Sequence, residues 1–540
     1  MKKWYYFTFL LLTAVSFAQE DAWVYFNNKP NAQYYLDNPL AMLSQRALDR
    51  RTNQNIAINI QDVPIHQSYV DQIEAIPAIE VKAKSKWMNA IHVRGSLEVI
   101  NGLAEIEFVH HIEYANKSLN ISGRNQASAQ NNSSNSINKV LETQIDFAYG
   151  NSGNQAQMLN LHQLHQQNFT GSGKIIAVMD AGFPGVDTAN PFQRLRDNNL
   201  ILGGYNFVGQ SSEFYTSNSH GTLVLSTMGG YVENQLIGTA PDAQYYLFIT
   251  EDAASENPLE ESYWVEAAEM ADYLGADIIN TSLGYFQYDN PNYNYTYANM
   301  DGATSFISRG TNIAFSKGMI CVSSAGNSGS GPNPYVAVPA DALHGFAVGA
   351  VKADETYATF SSIGPTFDQR IKPDVMAQGQ GAVVSSVTGT IGVANGTSFS
   401  GPIMAGAIAS FWQAIPWATN QQVLDFIRQS ADRYANPTSQ FGYGIPDFQT
   451  ALNLAQLSVN DATLGRFLVY PNPVAENLKV SFPNHFDSAT ISIFNNLGQL
   501  VLAQNIQSGF DIDLESFSSG IYLYTIKSRD FVQTGKLIKK

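Results

Sequence analysis

Asn395-Gly396-Thr397-Ser398-Phe399-Ser400-Gly401-Pro402 sets one hydroxyl, that of Ser398, among small residues that let other backbone come close. Pro402 suits the first turn of a helix, where its missing N–H and fixed φ do no harm. Behind it, Ile403-Met404-Ala405-Gly406-Ala407-Ile408-Ala409-Ser410-Phe411-Trp412 is an apolar, small-residue run that predicts a buried helix. A serine at the mouth of such a helix lies near the positive end of its dipole, where developing negative charge is stabilised. A glycine- and serine-rich turn feeding a core helix would produce the same eight residues. The G-x-S-x-G nucleophile elbow would not, because Ser400 stands where its last glycine belongs.

A nucleophilic serine needs a base within hydrogen-bond reach, a carboxylate that fixes the base's tautomer, and donors for the oxyanion. Of nine histidines, only His220 sits in a tight small-residue setting, Asn218-Ser219-His220-Gly221-Thr222, ahead of a helix-like run from Leu223 to Met228. The other eight read as packed or solvated side chains. Lys174-Ile175-Ile176-Ala177-Val178-Met179-Asp180 reads as a strand that ends in a carboxylate. Asn327, in Ser323-Ser324-Ala325-Gly326-Asn327-Ser328-Gly329, places an amide donor at a glycine-rich strand exit.

From Lys174 onward, short apolar strands alternate with helical patterns. Tyr245 to Ile249, Asp277 to Asn280, Met319 to Val322 and Phe346 to Gly349 are further strands, with helices over Tyr263–Leu274 and Ala303–Lys317 between them. Near-continuous apolar strands separated by helices predict an α/β fold, a mostly parallel sheet covered on both faces. Chemistry in such sheets gathers at the carboxyl ends of strands, where Asp180 and Asn327 fall.

The 540 residues suggest about three domains. Met1-Lys2-Lys3, an apolar run to Phe17 and Ser16-Phe17-Ala18 read as a signal peptide over residues 1–18. No later stretch has the ~18 apolar residues of a spanning helix. Between Gln19 and Ala115 the pattern predicts a β-α-β-β-α-β, ferredoxin-like unit. Residues 116–145 read as linker and cleavage region, the segment 125–138 being polar throughout. From Thr463 to Lys540, short strands separated by turns predict an all-β, sandwich-like domain. The net charge of −16 is uneven: residues 140–462 hold 28 Asp/Glu against 10 Lys/Arg. An acidic central domain without a basic stripe argues against a nucleic-acid partner. The single cysteine, Cys321, lies in an apolar strand, reads as a small core residue and excludes an intramolecular disulfide.

The four stretches around Asp180, His220, Asn327 and Ser398 together resemble the subtilisin-like serine proteases, in which the triad runs Asp, His, Ser along the chain. Asn280-Thr281-Ser282-Leu283-Gly284, Lys372-Pro373-Asp374-Val375-Met376-Ala377-Gln378-Gly379 and Gly442-Tyr443-Gly444 also resemble motifs of that family. The likeness covers roughly residues 150–455, within a peptidase domain placed at 146–458. It implies that Ser398 attacks the peptide carbonyl, His220 moves the proton and Asp180 supports the imidazolium. It further implies that the Asn327 amide and the Ser398 N–H hold the oxyanion. Ser282, Leu283, Gly284, Ser324, Ala325 and Gly326 would then flank the substrate. Ala181 departs from the pattern, since the family usually carries Ser or Thr there, and a hydroxyl near the triad carboxylate is lost.

Residues 19–115 resemble the family's propeptides, which assist folding and inhibit until removed. Residues 463–540 resemble the C-terminal sorting domain of the type IX secretion system, through Val469-Tyr470-Pro471-Asn472-Pro473, Asn496-Leu497-Gly498-Gln499, Ser519-Gly520-Ile521-Tyr522 and the final Lys536 to Lys540. The expectation is a secreted or cell-surface serine endopeptidase made as a zymogen. Its partners would be polypeptide substrates, its own propeptide and the secretion machinery. The alternative is a catalytically inactive relative that binds surfaces or acts as an adhesin. No cofactor is expected for the chemistry. Asp289, Asn292 and Asp301, in the Tyr285–Asp301 stretch, offer oxygens to a structural calcium ion, although without fixed ligand spacing a polar loop is the plainer reading.

Overall fold

The computed structural model describes residues 19–120, 147–464, 467–482, 486, 488–507, 509, 511–528 and 531–540. The signal peptide and the 125–138 linker lie outside the described residues. The chain divides into two units, one running to Leu452 and the other from Asn453.

The core of the first unit is a seven-stranded sheet. Its strands run across in the order Val375–Gln378, Phe346–Val351, Ile320–Ser324, Ile278–Thr281, Ile175–Asp180, Gln244–Ile249 and Ile201–Asn206. Every neighbouring pair is parallel. The Ile175–Asp180 and Phe346–Val351 strands are buried at every position, as their unbroken apolar runs require when helices cover both faces. Helices Leu259–Leu274 and Phe306–Ser316 pack together on one side, and helices His220–Gly229 and Thr397–Ala414 pack together on the other.

Residues 19–120 form an antiparallel sheet in the order Ile79–Ser85, Ala90–Ser96, Gln19–Phe26, Val109–Tyr114. Helices Gln67–Glu74 and Leu97–Gly102 complete the β-α-β-β-α-β order, around a core that includes Val24, Ile73, Ile91, Val93 and Ile100. The sequence reading passes over residues 32–62, where the structure places helix Gln45–Asn53. Its buried face carries Arg50 and Arg51 beside Ala47, with Leu48 partly buried, so its apolar stripe is short and interrupted by charge. Both arginines pair with Asp272 on helix Leu259–Leu274, and Arg51 also pairs with Asp62 of its own domain.

The second unit contains two antiparallel sheets, of three strands (Leu468–Tyr470, Asn477–Ser481, Asp511–Asp513) and four (Ala489–Phe494, Leu500–Ile506, Gly520–Ser528, Phe531–Lys539). Val474, Leu478, Val480, Ile491, Ile493 and Ile526 pack in one apolar cluster between them, the arrangement of a sandwich. Among the described residues, no helix is long and apolar enough to cross a membrane.

Candidate active site

Asp180 closes its strand with a side chain wholly shielded from solvent, while about a third of the His220 side chain is exposed. His220 opens helix His220–Gly229 and brings Nδ1 to 2.7 Å from Asp180 Oδ1. Gly221 permits this approach, because a Cβ there would fall 2.5 Å from Gly182 O and 2.9 Å from Asp180 Cβ. The carboxylate only accepts, so Nδ1 carries the proton and Nε2 presents a lone pair. The Asp180 charge raises the His220 pKa above the usual 6.5, against the opposing effect of burial.

Asp180 Oδ1 also accepts from the Ala181 N–H at 2.8 Å, whereas Oδ2 is buried with no hydrogen-bond partner among the described residues. Ala181 offers no hydroxyl to it.

The nucleophile candidate lies in helix Thr397–Ala414, which starts five residues earlier than Pro402 suggests. A proline inside a helix removes the bond from its own nitrogen to the carbonyl four residues back, here that of Ser398. The Ser282 hydroxyl takes over that carbonyl, donating to Ser398 O at 3.0 Å, and Asn280 Nδ2 donates in turn to Ser282 Oγ at 3.2 Å. Gly396 enters the helix at φ 149°, a conformation that L side chains rarely adopt. Ser398 Oγ donates to Ser282 O at 3.3 Å, and among the described residues no hydrogen bond joins it to His220. A hydroxyl parked on a carbonyl needs only a rotation about χ1 to change partner, and catalytic hydrogen bonds often tighten only around substrate.

Asn327 is exposed, but its amide is oriented. Its Oδ1 accepts from Thr397 N at 2.9 Å and Thr397 Oγ1 at 3.1 Å, so the opposite end of the amide is the donor. That Nδ2 and Ser398 Oγ lie 3.6 and 3.7 Å from the point where a Cβ on Gly396 would stand. Thr397 is a functional residue that the sequence reading missed, although it adjoins Ser398. Its hydroxyl also accepts from Gly326 N at 3.2 Å. Ser324 Oγ donates to Thr397 O at 2.8 Å, while Ala325 is buried behind it. Leu283 is half-buried and Gly284 exposed, on the segment that follows strand Ile278–Thr281. Ser282 thus bonds Ser398, and Ser324 and Gly326 bond the adjoining Thr397.

The calcium candidates are engaged locally. Asp289 accepts from Glu256 N at 3.1 Å, and Asp301 from Ala303 N, Thr304 N and Thr304 Oγ1 at 2.8–2.9 Å. Asn292 sits in a short turn closed by Asn290. Elsewhere, Glu251, Glu256 and Glu260 bring carboxylate oxygens within 4.8 Å of one another. Burial and the charge of Asp289 raise Glu256 to about 7, and burial with the charges of Glu256 and Asp252 raises Glu260 to about 8. Cys321 is buried in its strand, and burial pushes its thiol up, as expected of an inert core residue.

Residues 19–120 cover the peptidase domain through polar contacts. Glu269 accepts from Ser85 Oγ, Trp87 N and Lys86 N at 2.7–3.0 Å. Ser262 Oγ meets Trp23 Nε1 and His92 Nδ1, each at 2.8 Å. Arg309 pairs with Glu113 at 2.9 Å.

Residues 171–445 match the model of the subtilase family. The chain belongs to that family. Residues 21–135 match the Bacteroidota propeptide domain of S8 peptidases, and residues 468–540 match the secretion system C-terminal sorting domain. Among curated proteins, subtilisin NAT of Bacillus subtilis subsp. natto is 32% identical over 294 residues, 53% of this chain and 68% of that one. Subtilisin of Bacillus pumilus is 31% identical, over 53% of this chain and 94% of its own. Among solved structures, that of the MycP3 protease from the type VII (ESX-3) secretion system aligns at TM-score 0.45 and 21% identity, covering 58% of this chain and 90% of the other. The subtilase is therefore a serine endopeptidase made as a zymogen, with a sorting domain that marks it as secreted or held at the cell surface.

Proposed function

We propose that this subtilase hydrolyses peptide bonds through Asp180, His220 and Ser398, by way of an acyl-enzyme. The observation that carries the reading is the 2.7 Å bond from His220 Nδ1 to the buried Asp180, with Ser398 on the first turn of a neighbouring helix. His220 Nε2 takes the proton of Ser398 Oγ as it attacks, then gives it to the leaving amine, while Asp180 stays ionised and supports the imidazolium. The Asn327 Nδ2 donor and the Ser398 backbone N–H serve the oxyanion. Ser282, Leu283 and Gly284 on one side, and Ser324, Ala325 and Gly326 on the other, line the extended substrate. The chemistry needs no cofactor.

On this reading residues 1–18 direct export across the inner membrane, and the type IX machinery takes residues 463–540. Residues 19–115 inhibit in cis until the chain is cut between about Ala115 and Gly150. A serine-directed fluorophosphonate tests the assignment. It is expected to label Ser398 in the mature enzyme, and Ser398→Ala should be inactive and accumulate uncut. Activity of that variant within tenfold of wild type refutes the nucleophile; normal cutting of it assigns maturation to another protease.

A further inference from the structure

Lys117, in the last turn of the propeptide before residue 120, reaches into a pocket that the propeptide lines in part, with Trp23 and Tyr114, but in which every group that holds the ammonium belongs to the peptidase domain. Its Nζ lies 3.8 Å from the centre of the Tyr295 ring and donates to Tyr293 O at 2.8 Å. Behind the ring, the buried Glu261 accepts from Tyr288 OH at 2.6 Å, Tyr295 OH at 2.7 Å and Ile307 N at 3.0 Å. A phenol that donates to a carboxylate has an electron-richer ring, and a cation over such a face is held by its quadrupole. The lysine is presented, not adventitious: Asn120 accepts from Tyr114 N and donates to Tyr114 O, which closes the turn around it.

Buried tyrosines link the pocket to the segment beside Ser398. Tyr285 follows the Ser282-Leu283-Gly284 segment and stacks on Tyr288, with ring centres 6.1 Å apart, and Tyr288 meets Tyr295 at 6.0 Å. A row of tyrosines thus runs from the segment beside Ser398 to the Lys117 pocket. Residues ahead of a maturation cut lie on the N-terminal side of the scissile bond. Lys117 lies on that upstream side.

Resting on the protease reading above, we infer that the Tyr293–Tyr295–Glu261 pocket, once the propeptide leaves, receives a lysine or arginine side chain of a polypeptide substrate, upstream of the bond to be cut. The acidic peptidase domain, with 28 acidic against 10 basic side chains over residues 140–462, draws such chains in. The mature enzyme acting on a denatured protein mixture should enrich Lys and Arg at one position N-terminal to the cut. Matched peptides with Lys or Met there should differ about tenfold in kcat/KM, and Tyr295→Leu should bring that ratio close to one. A second arm needs no turnover. In the Ser398→Ala precursor, Lys117→Met should speed amide exchange of residues 114–120 about tenfold, while Lys117→Arg should leave it as in the parent. A flat upstream profile from an enzyme that cuts overturns this inference alone, and so does unchanged exchange in Lys117→Met. Failure of Ser398 to react with the fluorophosphonate overturns the protease reading, and the substrate claim falls with it.

Discussion

Replacing Arg51 by Met should loosen the propeptide by about two orders of magnitude. Arg51 is fully buried; its guanidinium donates to both oxygens of Asp272 at 2.9 Å and to Asp62 at 2.7 Å. Asp272 belongs to the peptidase helix Leu259–Leu274 and is wholly buried. Burial alone would raise its carboxyl, yet Arg50 and Arg51 hold it below the ordinary value. Methionine keeps an apolar stem, so the loss reports the charge. Removing one partner of a buried pair costs about 3–5 kcal/mol. The lower end applies here, because Arg50 still reaches Asp272 and Lys317 still lies 3.2 Å from Asp62. About 3 kcal/mol corresponds to roughly a 150-fold weaker propeptide complex. The assay is size exclusion of processed enzyme over a dilution series, following the 19–120 fragment that travels with it. The variant should shed that fragment at about 150-fold higher protein concentration, with little dependence on salt because the pair is desolvated. Retention within threefold of wild type would show that the arginine contributes no net binding, and would refute the reasoning.

Asn327→Ala should lower kcat by about a hundredfold to a thousandfold with KM little changed, a range measured for subtilisin itself, a relative of this protein. An effect confined to KM would make Asn327 a ground-state substrate contact. Because Asp180 raises the His220 pKa above 6.5, and the base must be neutral to accept a proton, kcat/KM should climb with pH through a midpoint above 6.5; a midpoint below that value counts against the pairing. Glu256 and Glu260, at about 7 and about 8, hold protons that an unfolded chain, at 4.5, has already released. Their contribution to stability is complete below pH 4.5 and is lost as pH rises through 7 and 8. The melting temperature of the Ser398→Ala precursor should fall across that window, and Glu260→Gln should flatten the fall; a flat parent profile would contradict it.

Much of the site was legible because its chemistry is carried by short local runs. Strand Lys174–Asp180 ends in its carboxylate, and the Gly-Thr-Ser stretch begins the buried helix that its small residues suggest. What stayed hidden depends on side chains meeting across long sequence separations. Thr397 orients an amide 70 residues away, and Ser282 caps a carbonyl 116 residues away. Neither partner is marked by periodicity or by a rare residue type. Helix Gln45–Asn53 was passed over for a related reason: amphipathic patterning finds helices with a continuous apolar face, and this one buries two arginines beside Ala47.

Pro402 shows how one residue misleads locally and informs globally. Read alone, it places a helix start at 402; in the fold it lies in the second turn, where it frees the Ser398 carbonyl. An unpaired buried carbonyl would cost stability, so a donor must arrive from elsewhere, and Ser282 Oγ supplies it. The same Ser282 accepts the Ser398 hydroxyl through its own carbonyl at 3.3 Å. The segment proposed to bind substrate is thereby bonded twice, through Ser282, to the residue proposed to attack it. Any shift of Ser282 as a substrate strand pairs beside it acts on Ser398 directly. Ser282→Ala removes only the first of these bonds and leaves the backbone carbonyl in place. It should therefore disturb the position of the helix start more than the resting place of the hydroxyl, a distinction that the rate of Ser398 labelling, with and without a bound peptide, would read out.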